Sequence, residues 1–482
     1  MTRLLTTTTA LLALAVAGCA VGPKYQRPDL PVPENYRPEV TAEQAASIAD
    51  LPWWELYRDP VLQGLIRETL QNNQDLALAA ARVLEAGALV GVAKADLFPQ
   101  IAAMANADWG RQSREIFPPG TPGTSPTGRY TAALGLTWEL DIWGRVRNAR
   151  DAALADLLAT EEGRRAVVLG LVASVATTYL ELRELDLELE IAQRNTASRQ
   201  DTVKLFQQRA EGGVGNDLEL NQARADLAVT ASAIPDTERQ IALAEHQLCV
   251  LLARPPGPIE RGAPLPSELA PALPTGVPAA LLQRRPDLVA AEQLLIAATR
   301  RVGVAVADRL PALSLNGSVG LDSFSLSTFF KGDAATWSLG GSLLAPIFQG
   351  GRLAALEGAA RARMEQAVAF YRSAVLVALR EVSDAAVGYR KLEAVLVQVD
   401  LQVKATTAAE RLALMRYEGG VSTYLEVLDS QRQAYSAQLT LVRTQLARVL
   451  YAVQLYRALG GGWQEPAQGQ PAQGQPAQGG TS

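Results

Sequence analysis

The stretch VGVAKADLFPQI, Val90 to Ile101, returns as VGVAVADRLPAL, Val302 to Leu313. Val90, Gly91, Val92, Ala93, Ala95, Asp96 and Pro99 recur as Val302, Gly303, Val304, Ala305, Ala307, Asp308 and Pro311. A second anchor, RAEGGVGNDLEL (Arg209 to Leu220), returns as RYEGGVSTYLEV (Arg416 to Val427), at a shorter offset. Self-similarity at fixed separation is the mark of a duplicated structural unit. The change in offset means that the segment from Ile101 to about Gly144 is shorter in the second copy.

On either side of these anchors, each copy reads as helix, strand pair, very long helix, glycine turn, helix. The segments Arg150 to Arg209 and Leu353 to Arg416 contain no proline, and at 1.5 Å per residue each reaches roughly 90 Å, far beyond a globular helix. Leu220, Leu227, Ile234, Ile241 and Leu248 recur every seventh residue, with Ala223, Thr230, Thr237, Ala244 and Leu251 on a neighbouring row. In the second copy Tyr435, Leu439, Val442, Leu446, Val449, Val453 and Tyr456 alternate steps of four and three, so both patterns predict coiled-coil seams. Pro235 is expected to kink the first.

The strand pairs decide what the helices are for. Ile101, Ala103, Ala105, Ala107 and Trp109 alternate with Ala102, Met104, Asn106 and Asp108; Tyr130, Ala132, Leu134, Leu136, Trp138 and Leu140 alternate with small or polar residues. In the second copy Leu313, Leu315, Gly317, Val319 and Leu321 form one row, and Trp337, Leu339, Gly341 and Leu343 another. Each strand is about as long as a bilayer crossing, apolar on one face, with Trp109, Trp138 and Trp337 suited to an interfacial belt. A soluble sheet with one face on a core is the other meaning of alternation, but no separate apolar element is left to cover that face. Four strands do not close a lumen-bearing barrel, since even a small one takes about eight, and lipid tolerates no open edge. Several protomers must therefore share one barrel. Pro118 to Gly128 and Asp322 to Asp333 then become its exterior loops.

The first residues, MTRLLTTTTALLALAVAGC, place a basic residue, an apolar run and small residues before Cys19, the layout of a secretory signal. An uncleaved anchor would need a longer apolar segment. Val16-Ala17-Gly18-Cys19 resembles the bacterial lipobox, which implies N-acyl and S-diacylglycerol groups on Cys19 and several acyl chains at one point, enough for stable anchoring. Ala20 follows, where the sorting rule for inner-membrane retention wants Asp, so the outer membrane is the expected address. Cys249 is the only other cysteine, so no intrachain disulfide survives acylation and no cysteine metal cluster is available. A net charge of −5 without long Lys/Arg blocks gives no footprint for nucleic acid.

VGPKYQRPDLPVPENYR after the lipobox, the run Trp53 to Val83, ELDIWGRVR (Glu139 to Arg147), RRPDLVAAE (Arg284 to Glu292), the two glycine turns and the terminal LYRALGGGW together resemble the outer-membrane factors, the TolC-like export ducts, and within them the lipidated NodT-type channels. The resemblance runs from about Cys19 to Trp463. It implies a mainly α protein with a membrane β-barrel portion: a homotrimer with a twelve-stranded barrel continued by a twelve-helix periplasmic tunnel. It also implies a periplasmic membrane-fusion adaptor and an inner-membrane resistance-nodulation-division (RND-type) pump as partners.

In that family the turns Gly212-Gly213-Val214 and Gly419-Gly420-Val421 lie at the periplasmic tip and meet the adaptor. A plain hairpin turn is the alternative reading, and near-identity of the two copies favours docking. In some members a tyrosine in the second turn and an aspartate past the first hold the tip closed; Tyr417 and Glu219 match those places. Glu426, the repeat partner of Glu219, is a third gate candidate, and for both glutamates a solvated helix face is the other reading. Ser422 stands where some members carry arginine, so a lock using that ion pair does not carry over.

No catalytic constellation and no cofactor beyond the Cys19 lipid is expected. His246 is the single histidine, in the seam region, and Glu161-Glu162 point to different parts of a helix. The expected organisation is a signal peptide at 1–18, an anchored segment at 19–60, a first repeat at 61–254 (strands about 100–112 and 128–141), a connector at 255–278, a second repeat at 279–462 (strands about 312–322 and 335–347) and a disordered tail at 463–482. The function this predicts is passive efflux of small amphipathic compounds across the outer membrane. A channel for another export route such as type I secretion, or a lipid-anchored scaffold that conducts nothing, is the alternative.

Overall fold

A computed structural model describes residues 20–30, 52, 56–111, 113, 127–265 and 281–461. The signal peptide, Cys19, most of the first exterior loop, most of the connector and the tail lie outside them.

The first copy runs α1 (Pro60–Asn72), α2 (Gln74–Ala95), β1 (Gln100–Gly110), β2 (Thr127–Leu140), α3 (Arg145–Glu211) and α4 (Asp217–Leu251). The second runs through a helical turn (Leu281–Arg284) to α5 (Pro286–Ala307), β3 (Ala312–Ser323), β4 (Ala335–Leu344), α6 (Arg352–Glu418) and α7 (Tyr424–Ala458). The duplication extends to element length: α3 and α6 have 67 residues each, and α4 and α7 have 35 each.

The boundaries have local causes. Asp59 caps α1 by accepting from the Val61 N–H, and Pro60 occupies the first turn, where its missing donor costs nothing. Asn73 opens α2, its Oδ1 accepting from Asp75 N–H at 2.9 Å while its Nδ2 donates to the Leu251 carbonyl at 2.9 Å. β4 ends at Leu344, short of the expected 347, because Pro346 lacks the N–H a ladder needs. β1 ends at Gly110 and β2 at Leu140, within two residues of expectation. Pro235 does not interrupt α4; it lies on an exposed face, where water can satisfy the carbonyl it frees.

The described chain forms two compact units. One comprises residues 20–30, 81–161 and 290–373 and contains the sheet; the other comprises residues 56–80, 162–289 and 374–461 and contains α1, α4, α7 and the later parts of α3 and α6. In the second unit the Asp59 carboxylate also accepts from Tyr179 Oη–H (2.9 Å) and Ala263 N–H (3.0 Å), tying the start of α1 to α3 and to the chain that follows α4. Arg285 of the RRPD stretch is buried between Asp287 (2.6 Å), Glu381 (2.7 Å) and the Ala458 carbonyl (3.1 Å). On α4, Leu220, Ala223, Thr230, Thr237 and Leu248 are buried, whereas Leu227, Ile234 and Ile241 are only half-buried in the protomer.

Candidate functional site

The four strands form one antiparallel sheet in the order β1-β2-β3-β4. Its register joins the predicted rows into a single face. Ala103 stands opposite Leu134, Leu134 opposite Val319, and Val319 opposite Trp337; Ile101, Leu136, Gly317 and Leu339 align one rung away. No charged residue falls on this face. The other face carries Asn106, Thr131, Asn316, Ser318, Ser338 and Ser342, with Ser318 Oγ and Ser338 Oγ hydrogen-bonded at 2.7 Å. Its charged groups lie toward the strand ends. Asp108 faces Arg129, which pairs with Asp322 at 2.7 Å, and the Glu139 carboxylate accepts from Arg145 Nε and Nη2 at 2.8 and 2.7 Å.

Trp109, Trp138 and Trp337 each sit on the apolar face near one end of their strand. Trp337 is 78% exposed, and Val319 at mid-strand is 58% exposed. Among the described residues of the protomer, the outer edges of β1 and β4 have no partner strand. A sheet built this way can meet hydrocarbon on one side and water on the other, provided its edges are closed.

The two glycine turns, both in the second unit, have the same geometry. Gly213 and Gly420 have φ of +73° and +72°. Gly213 and Val214 N–H donate to the Ala210 and Arg209 carbonyls at 3.1 and 3.0 Å, and Gly420 and Val421 N–H to those of Tyr417 and Arg416, both at 3.0 Å. This is the Schellman pattern, in which a left-handed residue ends the helix and glycine pays no steric penalty. A Cβ at either glycine would meet nothing within 4 Å. The positions are therefore open to an approaching partner as well as conformationally demanding. Val214 (81% exposed) and Val421 (66%) present apolar side chains beside them, while Gly212 and Gly419 complete the turns.

Behind the turns, Phe206, Leu220, Tyr424, Val427 and Leu428 form a small core against which Tyr417 packs. Tyr417 Oη donates to Glu219 Oε2 at 3.1 Å, and its ring meets Phe206 edge-on at 5.9 Å. Burial, reinforced by the Glu219 carboxylate, raises the Tyr417 phenol above its ordinary pKa, so the proton needed for this bond is retained. Glu426 instead pairs with Arg416 at 3.0 Å across the second turn, with both side chains largely exposed. The three gate candidates thus separate into a half-buried Tyr417–Glu219 contact and a solvated Glu426 contact. Ser422 Oγ is buried without a hydrogen-bond partner among the described residues.

The structure also contains a charged cluster that sequence reading passed over. Arg199 of α3 and Asp226 of α4, each almost wholly buried, pair at 2.7 Å, and Asp226 accepts a second bond from the exposed Arg432 of α7 at 2.9 Å. Asp226 lies on the buried row of α4 between Ala223 and Thr230, and an acid within a row of small residues was the available signal. His246 is exposed, and Cys249 is buried with its thiol toward the Gly257 carbonyl. Among the described residues no group of three His, Cys, Asp or Glu side chains is disposed to hold a metal ion.

Comparison with known proteins agrees with this geometry. Residues 65–254, and separately 277–461, match the outer membrane efflux protein family. The toluene efflux pump outer membrane protein TtgC of Pseudomonas putida is 34% identical over 472 residues, 95% of this chain and 96% of that one. The cation efflux system protein CusC of Escherichia coli is 32% identical over 463 residues, 94% of this chain and 98% of that one. The solved outer-membrane channel OprN aligns with a TM-score of 0.85 at 33% identity, over 92% of this chain and all of that one. With both repeats matched and relatives covered nearly end to end, the chain belongs to the outer membrane efflux protein family.

Proposed function

We infer that this chain is the outer-membrane channel of a tripartite efflux system, a passive duct that works as a homotrimer and carries small amphipathic compounds from a periplasmic adaptor and inner-membrane RND-type pump to the exterior. The observation that carries the reading is the register of the sheet, which places every strand's apolar row on one face and leaves two edges open. Three protomers would supply twelve strands, enough to enclose a lumen and pair every edge. The exposed apolar side chains of α2, among them Leu84 (76% exposed) and Val92, supply further surface for a neighbouring protomer. An acylated Cys19 would hold the chain to the outer membrane.

Toluene and cations appear in the names of relatives that are almost equally similar to this chain. That supports a duct whose cargo is selected upstream by the pump. The adaptor is assigned to the paired turns because they combine open backbone with exposed valines. Replacing Gly213 and Gly420 together by leucine is expected to abolish export while trimer assembly and membrane insertion persist. Normal export by that variant would remove the docking assignment.

A further inference from the structure

Three stretches, IWGRVR (Ile142 to Arg147), VGVAVADRLP and RRPDLVAAE, have no part in the barrel face or the glycine turns. In the first unit one part of each meets residues 20–30: Trp143 and Gly144, Gly303, and Glu292. Ala20 packs against Gly144, where a Cβ would come within 2.6 Å of the Ala20 Cβ. Val21 N–H donates to the Trp143 carbonyl at 3.0 Å, and the Val21 carbonyl accepts from Asn148 Nδ2 at 3.1 Å. Gly22, at φ +119°, lies on Gly303 so closely that a Cβ on Gly22 would sit 2.5 Å from the Gly303 Cα. Farther along, Tyr25 Oη donates to Glu292 Oε1 at 2.6 Å, and Arg27 grips the same carboxylate through Nε (2.8 Å) and Nη2 (2.6 Å).

We propose that residues 20–30 are a docked strap that staples the first repeat to the second and is pinned from Ala20 onward. Gly144 and Asn148 belong to the first copy, Gly303 and Glu292 to the second, and the strap touches all four. The two copies differ where the strap requires it. In the repeat register, Ala80 stands where the second copy has Glu292, so the first copy offers no carboxylate. Gly91, the counterpart of Gly303, has open space where a Cβ would be. A duplicated helix has thus been specialised in one copy as the receiver of the amino-terminal segment. Glu292 is itself buried, and a bidentate pair of this kind fixes direction as well as position. The strap stands on described residues alone; only its reading as the mooring of an anchor rests on lipidation of Cys19.

The test is tryptic cleavage after Lys24 in the full-length protein in outer-membrane preparations, followed by mass spectrometry. Lys24 is exposed, but both flanks of the bond are pinned, and Arg27 precedes Pro28 and resists trypsin. Wild type should be cut slowly. Glu292→Gln and Arg27→Met should each raise the rate on the order of tenfold, the scale of losing a charge-assisted hydrogen bond that holds a local structure closed. Gly303→Ala should raise it further, because its Cβ would lie 2.6 Å from Asn148 Nδ2 and 2.9 Å from the Val21 carbonyl oxygen. Should that variant fail to fold, the two charge variants decide the question. Rapid cleavage of wild type, or rates unchanged by Glu292→Gln and Arg27→Met, would overturn the strap. The mass of the released amino-terminal peptide reports acylation separately, so failure of the lipid reading is distinguishable from failure of the strap.

Discussion

Two adjacent residues of β3 offer a sharp test of which face of the sheet meets lipid. Val319 lies between Leu134 and Trp337 on the apolar face, and Ser318 between Gly135 and Ser338 on the other. Both are near mid-strand, where a barrel strand crosses the bilayer centre. An arginine there on the lipid side costs about 2–4 kcal/mol, and with three copies per barrel the total reaches roughly 6–12 kcal/mol, comparable to the whole stability of a domain. Val319→Arg should therefore nearly abolish heat-resistant oligomer in the outer-membrane fraction. Ser318→Arg forfeits one hydroxyl contact, about 1 kcal/mol, and puts its charge into water. That variant should assemble, and its single-channel reversal potential in a salt gradient should move toward anion preference. Assembly of Val319→Arg at wild-type levels, or loss of assembly with Ser318→Arg, would refute the assignment of faces.

Other consequences are local. Asp226→Ala leaves the buried Arg199 guanidinium uncompensated and should cost about 3–5 kcal/mol in thermal or denaturant unfolding, whereas the double replacement Arg199→Leu/Asp226→Leu should be nearly neutral; additive losses would contradict the pairing. Tyr417→Phe and Glu219→Ala each remove the 3.1 Å contact behind the turns, about 1 kcal/mol, and should raise resting conductance in planar bilayers. Arg416→Gln breaks only an exposed pair worth less than about 1 kcal/mol and should leave that conductance unchanged; equal effects from all three would discard Tyr417–Glu219 as a gate. Intact-mass measurement should place the mature amino terminus at an acylated Cys19, and an unmodified terminus elsewhere would end the lipoprotein reading.

The features most legible in the sequence were those with a period. Alternation in Tyr130–Leu140 and Leu313–Leu321 gave the sheet faces correctly, because a strand with one apolar side has only one register that keeps every apolar residue on it. Long proline-free runs gave α3 and α6, and the repeated EGGV gave two turns of matching geometry. Strand ends were less legible. They depend on single residues such as Pro346, and β4 stops two residues before it. The seam of α4 is where pattern and protomer part: Leu227, Ile234 and Ile241 keep the heptad but are only half-buried, as expected if another chain completes their burial. Non-periodic contacts were invisible. Nothing in the spacing connects Arg27 with Glu292 or Arg199 with Asp226, since each pair meets only after distant segments have packed.

Whether one protomer is an incomplete part of a channel is decided by reconstituting particles of known mass. Protein purified in detergent should appear in native mass spectrometry as three chains, and those particles should give discrete conductance steps in a planar bilayer. A stable single chain that retains its strands, or a three-chain particle that inserts and conducts nothing, would show that the protomers do not share a conducting barrel.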